Sequence, residues 1–133
     1  MLDKSTPIHP ILFAIFPILL IISLNLDEVI FKDAGFSLLI VIGVSIISWI
    51  FLNLFLKNKL KSGLLVSLGL FLFFSYGHFT RFVSQIGIDA AALPFSHTTY
   101  AIPFYGVMLI VGIFSIIKIQ KYLKSITFFA NVI

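Results

Sequence analysis

The chain has 133 residues, of which 60% are hydrophobic and 11% are charged, and its formal net charge is +4. A soluble domain usually carries about 25% charged residues, so this composition excludes a water-exposed globular surface and predicts one membrane-embedded domain over residues 1–133. Cysteine is absent, which excludes a disulfide, a thiolate nucleophile and a cysteine-based metal site.

Four apolar segments make up nearly the whole chain. Each approaches or exceeds the roughly 20 apolar residues that cross a ~30 Å hydrocarbon core. They predict an all-α integral membrane bundle of four transmembrane helices, at approximately residues 8–25, 35–56, 63–83 and 100–118. After Lys124 the sequence turns apolar again over a stretch too short to span, which indicates either a short amphipathic C-terminal helix or an incipient fifth helix.

Residues near the segment ends indicate how the helices meet. His9 precedes Pro10 at the start of the first helix, and we expect it to cap that helix or to contact lipid headgroups. The short break Lys57–Lys61 predicts that the second and third helices form an antiparallel hairpin. Gly63 and Ser67 stand one turn apart on the third helix, a spacing of small residues that permits close packing.

The basic residues are unevenly distributed and predict the orientation of the helices. Positively charged flanks stay cytoplasmic, so we expect both termini in the cytoplasm and a multi-pass location in a bacterial cell membrane. Because the charges lie at segment ends and not in one patch beside aromatic residues, no nucleic-acid partner is predicted. The predicted cytoplasmic residues are Lys4, Lys57, Lys59, Lys61, Lys118, Lys121 and Lys124, and the predicted external ones are Lys32 and Arg81.

The outer end of the third segment carries its most unusual residues. Tyr76, His78 and Arg81 lie there, and His78 and Arg81 share one helix face because they are three residues apart. Asp89 and His97 follow in the next loop and are expected to close over them. Arginine binds phosphate in a bidentate manner, so these residues predict a contact with an anionic headgroup. The alternative is that Arg81 only reaches to the interface, or pairs with Asp89 to fix the loop.

The same pattern predicts no catalytic residue, metal site or cofactor. His78 and His97 lack a third ligand at a standard spacing, and neither a catalytic triad nor a glycine-rich phosphate loop is visible. No Asp or Glu lies inside the four segments, which argues against a proton-coupled or cation-coupled transporter.

Two short motifs resemble a known family. They are HPILFAIFP at His9–Pro17, with Asn25 at the helix exit, and Tyr76-Gly77-His78 at the end of the third helix. Together they are similar to the N-terminal membrane region of bacterial sulfatase-like hydrolases and transferases of the alkaline phosphatase superfamily. The resemblance implies membrane helices that precede an extracytoplasmic, metal-dependent domain acting on phosphate or sulfate esters. That domain is not among the 133 residues, so no metal ligand or nucleophile is carried over.

Three classes of function follow from the sequence. The leading one is a non-catalytic membrane module that anchors, scaffolds or assembles with a membrane-protein partner or a second copy, with an anionic lipid headgroup at its outer face. The second is the membrane part of a sulfatase-like or phosphoglycerol-transferase-like enzyme without its catalytic domain. The third is a small transporter or flippase subunit that works as an oligomer.

Overall fold

The computed structural model describes residues 6–27, 30–85 and 97–132, and in these ranges the secondary structure is helical throughout, with no strand. The prediction of an all-α fold is therefore confirmed. The helices in chain order are α1 (His9–Leu24), α2 (Phe31–Leu56), α3 (Lys59–Gln85), α4 (His97–Lys118) and α5 (Leu123–Val132).

Three of these helices are long and apolar enough to cross a membrane. Their candidate spans are Lys32–Leu56 and Lys59–Val83, each of 25 residues, and Tyr100–Lys118, of 19 residues. The first predicted span is also an apolar helix, but α1 has only 16 residues. At 1.5 Å per residue it is about 24 Å long, which is shorter than a ~30 Å hydrocarbon core. By length, the structure supports three of the four predicted spans.

Helices α2, α3 and α4 extend beyond the apolar runs that predicted them, whereas α1 does not. Helix α2 begins at Phe31 and includes Asp33 in its first turn, where a negative charge is favourable for the helix dipole. Helix α3 begins at Lys59 and runs to Gln85. Polar and charged residues at the ends of a membrane helix remain helical because helix formation satisfies their backbone groups. Hydropathy therefore located the helices and underestimated the length of α2, α3 and α4.

A two-residue turn joins α2 to α3. Lys57 adopts a left-handed conformation with φ of 48°, which ends α2. The side-chain oxygen of Asn58 then accepts hydrogen bonds from the backbone N–H groups of Leu60 and Lys61, each at 3.2 Å, and so caps the start of α3. The predicted antiparallel hairpin is confirmed, with a tighter turn than the lysine-rich break indicated.

Helix α3 is the centre of the bundle and contacts each of the other four helices. In the described chain, 33% of the residues in an apolar 18-residue stretch of α3 are buried, against 6% in the corresponding stretches of α2 and α4. We call the two ends of the bundle the Lys59 end and the Gln85 end, after the first and last residues of α3. The buried residues of α3 concentrate toward the Lys59 end, at Ser62, Gly63, Leu64, Val66, Ser67 and Leu72.

Helices α3 and α4 pack closely along their length. A Cβ atom placed on Gly112 would lie 2.5 Å from Cδ2 of Leu68, so the absence of a side chain permits this approach. The ammonium group of Lys61 donates to the backbone carbonyl of Ile117, which satisfies a group at the C-terminal end of α4 that has no partner within the helix. Toward the Gln85 end, the rings of Phe79 and Phe104 stack with their centroids 4.7 Å apart.

Helix α5 lies against the bundle at the Lys59 end. It contacts α1 and α3, with Leu123 and Thr127 buried on the docked face. Its ten residues are too few to span a membrane. On the exposed side, Phe129 keeps 67% of its surface accessible. The structure thus describes α5 as a short helix that docks through one face and exposes the other.

Candidate functional site

The basic pair at the Gln85 end is exposed. His78 and Arg81 lie one turn apart on α3, and both side chains are exposed. Within the described part of the chain, neither makes a hydrogen bond or an ion pair. Tyr76 is half-buried instead, and its ring meets that of Tyr105 on α4 edge to face, with centroids 5.5 Å apart. His78 and Arg81 thus lie exposed one turn apart on α3, while Tyr76 packs against α4.

The two remaining predicted site residues lie wholly or partly outside the described part of the structure. Asp89 lies outside the described residues. His97 is the first residue of α4, and its side chain is also outside the described part of the structure. Closure of Asp89 and His97 over the basic pair stays a prediction.

An apolar groove lies between α3 and α4, on the side of Tyr76. It encloses about 430 Å³, and its walls include the rings of Tyr76 and Tyr105. Gly69 and Gly106 also line it, and a Cβ atom on either would meet no atom within 4 Å. The hydroxyl of Tyr105 donates to Ser75 Oγ at 3.1 Å, so it is already paired. The groove offers hydrocarbon contact and little hydrogen bonding.

Sequence reasoning missed a buried polar cluster at the Lys59 end. His9 is fully buried, so the expectation of a headgroup contact for its side chain is wrong. Its Nδ1 atom lies 2.6 Å from Ser67 Oγ, in a hydrogen bond whose donor depends on the tautomer of the ring. Ser45 Oγ donates to the carbonyl of Pro10 at 3.0 Å and joins α2 to the same place. We call His9, Ser45, Ser67, Thr127 and Asn131 the polar junction.

Asn131 on α5 supplies the cap of α1. Its Oδ1 atom accepts hydrogen bonds from the backbone N–H groups of Ile8, at 3.0 Å, and His9, at 2.9 Å. Its Nδ2 atom donates to the carbonyl of Thr6 at 2.9 Å. The first turn of a helix leaves backbone N–H groups without partners, and the N-cap residue Ile8 has no side chain that could pair them. The cap is therefore provided by a residue more than 120 positions away.

The predicted close packing at Gly63 and Ser67 is confirmed. A Cβ atom on Gly63 would lie 2.8 Å from Cβ of Pro7 and 3.3 Å from Cε1 of His9. Only glycine allows the chain before α1 to cross α3 at this distance, and this crossing brings the His9 ring to Ser67.

The junction also marks where α1 begins relative to α3. Ser67 stands eight residues after Lys59, so α1 begins about 12 Å further along the bundle than α3 does. Helix α5 packs against α1 and α3 in that region. Asn131 pairs backbone groups that would otherwise be unsatisfied in an apolar environment, where each such group is costly.

The described residues contain no group of three His, Cys, Asp or Glu side chains that could hold a metal ion. Comparison of the chain with family models, curated proteins and solved structures gives no match. Over the described residues the fold is all-helical and has three candidate membrane-spanning helices. Its polar side chains form a buried junction at one end and an exposed basic pair at the other.

Proposed function

We propose that the chain is a non-catalytic membrane module that anchors or assembles with a membrane-protein partner or a second copy. The observation that carries the proposal is the exposure of α2 and α4: among the described residues, only 6% of those in an apolar 18-residue stretch of each helix are buried. Inside a bilayer, helices associate through packing and hydrogen bonds and not through the hydrophobic effect. Two such exposed helices give the module a large surface for lipid or for the helices of a partner.

In this proposal all four predicted helices lie in the membrane, in a bacterial cell membrane with both termini cytoplasmic. Helix α1 is short, but its start is capped within the bundle by Asn131, so it needs no water at that end. The start of α1 and the end of α5 contact each other, which supports a common side for both termini. The seven-to-two distribution of lysine and arginine supports the cytoplasm as that side.

Single cysteines introduced at Lys59 and at Asp27 test this orientation, because the natural chain has no cysteine and both side chains are exposed. We expect a membrane-impermeant maleimide added to intact cells to label Asp27→Cys and not Lys59→Cys, and to label both after lysis. Labelling of Lys59→Cys in intact cells would reverse the proposed orientation.

The exposed pair His78 and Arg81 supports a headgroup contact at the outer face of this module. A guanidinium group binds phosphate through two parallel hydrogen bonds, and it needs free donors to do so. Among the described residues, the Arg81 side chain has no partner that would occupy those donors. The ligand class is therefore an anionic phosphate group at the membrane surface.

Native mass spectrometry of the protein extracted from liposomes that contain phosphatidylglycerol tests both parts of the proposal. We expect the double variant His78→Ala/Arg81→Ala to retain anionic lipid about three- to five-fold less than the parent, a size typical of exposed charge pairs. Lys32→Ala is the matched control, since Lys32 is exposed and basic and is predicted to lie on the same side.

The same spectra report the mass of the assembled species. Equal lipid retention in the parent and the double variant would contradict the headgroup contact. A species that stays monomeric at every protein concentration would restrict the module to anchoring or to assembly with a different protein.

A further inference from the structure

We propose that the polar junction contains a specific water-binding site, in which one water molecule bridges His9 Nε2 and Thr127 Oγ1. Both side chains have no accessible surface. Neither atom has a hydrogen-bonding partner among the residues that the structure describes. Roughly nine in ten buried polar groups in proteins are paired, so two unpaired atoms in one junction indicate a shared partner.

The fold places the two residues on helices that pack against each other. Thr127 precedes Asn131 by one turn of α5, so both residues lie on the face that docks against α1 and α3. The Oδ1 atom of Asn131 accepts a hydrogen bond from the backbone N–H of His9 at 2.9 Å. Because His9 Nδ1 is occupied by Ser67, the atom left for a further partner is Nε2.

The chemistry of the two groups selects water over an ion. If Ser67 donates to Nδ1, then Nε2 carries a proton and needs an acceptor; if Nδ1 donates, then Nε2 needs a donor. Water satisfies either tautomer, since it both donates and accepts. The Thr127 hydroxyl is equally able to donate or accept. A buried water requires about two to four polar partners, and these two side chains meet the lower limit.

The bound water would extend the hydrogen-bond chain from Ser67 through His9 to Thr127. It would link α5 to α3 through the His9 ring, in addition to the direct contacts between Asn131 and the backbone before α1. This inference depends on the packing of α1, α3 and α5 and is independent of the proposed anchoring function.

Solid-state NMR with magnetisation transfer from water, on protein labelled with 15N-histidine in liposomes, tests the site. The chain has three histidines, and the His9 signals are those that disappear in His9→Gln. We expect transfer from water to His9 Nε2 at short mixing times. Replacement of Thr127 by valine, which keeps the shape of the side chain and removes the hydroxyl, should reduce this transfer several-fold.

Two further variants serve as controls, one for the loss of a buried hydroxyl elsewhere and one for misfolding of the valine variant. Ser62→Ala also removes a fully buried hydroxyl, but that hydroxyl donates to its own helix at Asn58, so the His9 Nε2 signal should not change. Thr127→Ser retains the hydroxyl and should keep the transfer even if the valine variant does not fold. Absence of transfer to Nε2 in the parent protein would overturn the site, as would equal transfer in the parent and in folded Thr127→Val.

Discussion

Replacement of Asn131 by leucine is expected to lower the free energy of unfolding by roughly 2–4 kcal/mol. The variant leaves two N–H groups, of Ile8 and His9, and the carbonyl of Thr6 without their partner. An N-cap alone contributes about 1 kcal/mol, and a buried donor left unpaired costs about 1–3 kcal/mol. Unfolding of the purified protein in mixed micelles, titrated with SDS and followed by circular dichroism, measures the difference.

Asn25 provides a matched control at the other end of α1. Its Nδ2 atom donates to the carbonyl of Ile21, and the side chain is exposed. We expect Asn25→Leu to change the free energy of unfolding by no more than about 0.5 kcal/mol, as is usual for surface substitutions. Asn131→Asp keeps an acceptor oxygen and removes the donor, so its effect should be intermediate. Equal effects at Asn25 and Asn131 would show that α5 does not cap α1.

Much of the fold could be predicted because its main signals are local. Each long helix is marked by its own apolar run, and the Lys57–Lys61 break marks the hairpin without reference to any other segment. The small-residue spacing of Gly63 and Ser67 indicated a close approach correctly. The spacing did not identify the segment that packs against Gly63, which is the one that contains Pro7 and His9.

The polar junction could not be predicted because it is not local. The contact of Asn131 with the start of α1 joins residues more than 120 positions apart, and the only sign of it is one asparagine in an apolar tail. The His9 ring is buried against Ser67 and Gly63 of α3, more than 50 positions away in the chain, which sequence periodicity does not report. Two residues that carry the family resemblance, His9 and Asn25, thus have structural roles in α1, which hydropathy alone would not assign.

The basic pair, in contrast, could be predicted from local spacing. The three-residue spacing of His78 and Arg81 was sufficient to place them on one side of α3. The prediction also placed Tyr76 in this site. Tyr76 stands two residues from His78 on the helix and so lies on a different side, and its ring contacts Tyr105 on α4. The spacing of residues along a helix therefore indicates better than their chemical type which of them lie on the same side.

Replacement of Gly63 by alanine is expected to lower the free energy of unfolding by about 2 kcal/mol, although alanine is the better helix former. The added Cβ atom would lie 2.8 Å from Cβ of Pro7, which is buried and held by its ring. Such a contact is relieved only if the backbone before α1 moves, and that movement disturbs the hydrogen bonds of Ile8 and His9 with Asn131. The SDS titration described above measures the effect.

Alanine substitutions at two other glycines distinguish the effect of contact distance on stability from the effect of the rigidity of the neighbouring group. At Gly69, also on α3, a Cβ atom meets nothing within 4 Å, so alanine should stabilise the helix by roughly 0.5–1 kcal/mol. At Gly112 the nearest atom is closer, at 2.5 Å, but it is the terminal Cδ2 of Leu68, which can rotate away. We therefore expect the free energy of unfolding to decrease in the order Gly69→Ala, parent, Gly112→Ala, Gly63→Ala. If Gly112→Ala were as destabilised as Gly63→Ala, the contact distance alone would determine the loss of stability. The rigid crossing of Pro7 over α3 would then not be what stabilises the polar junction.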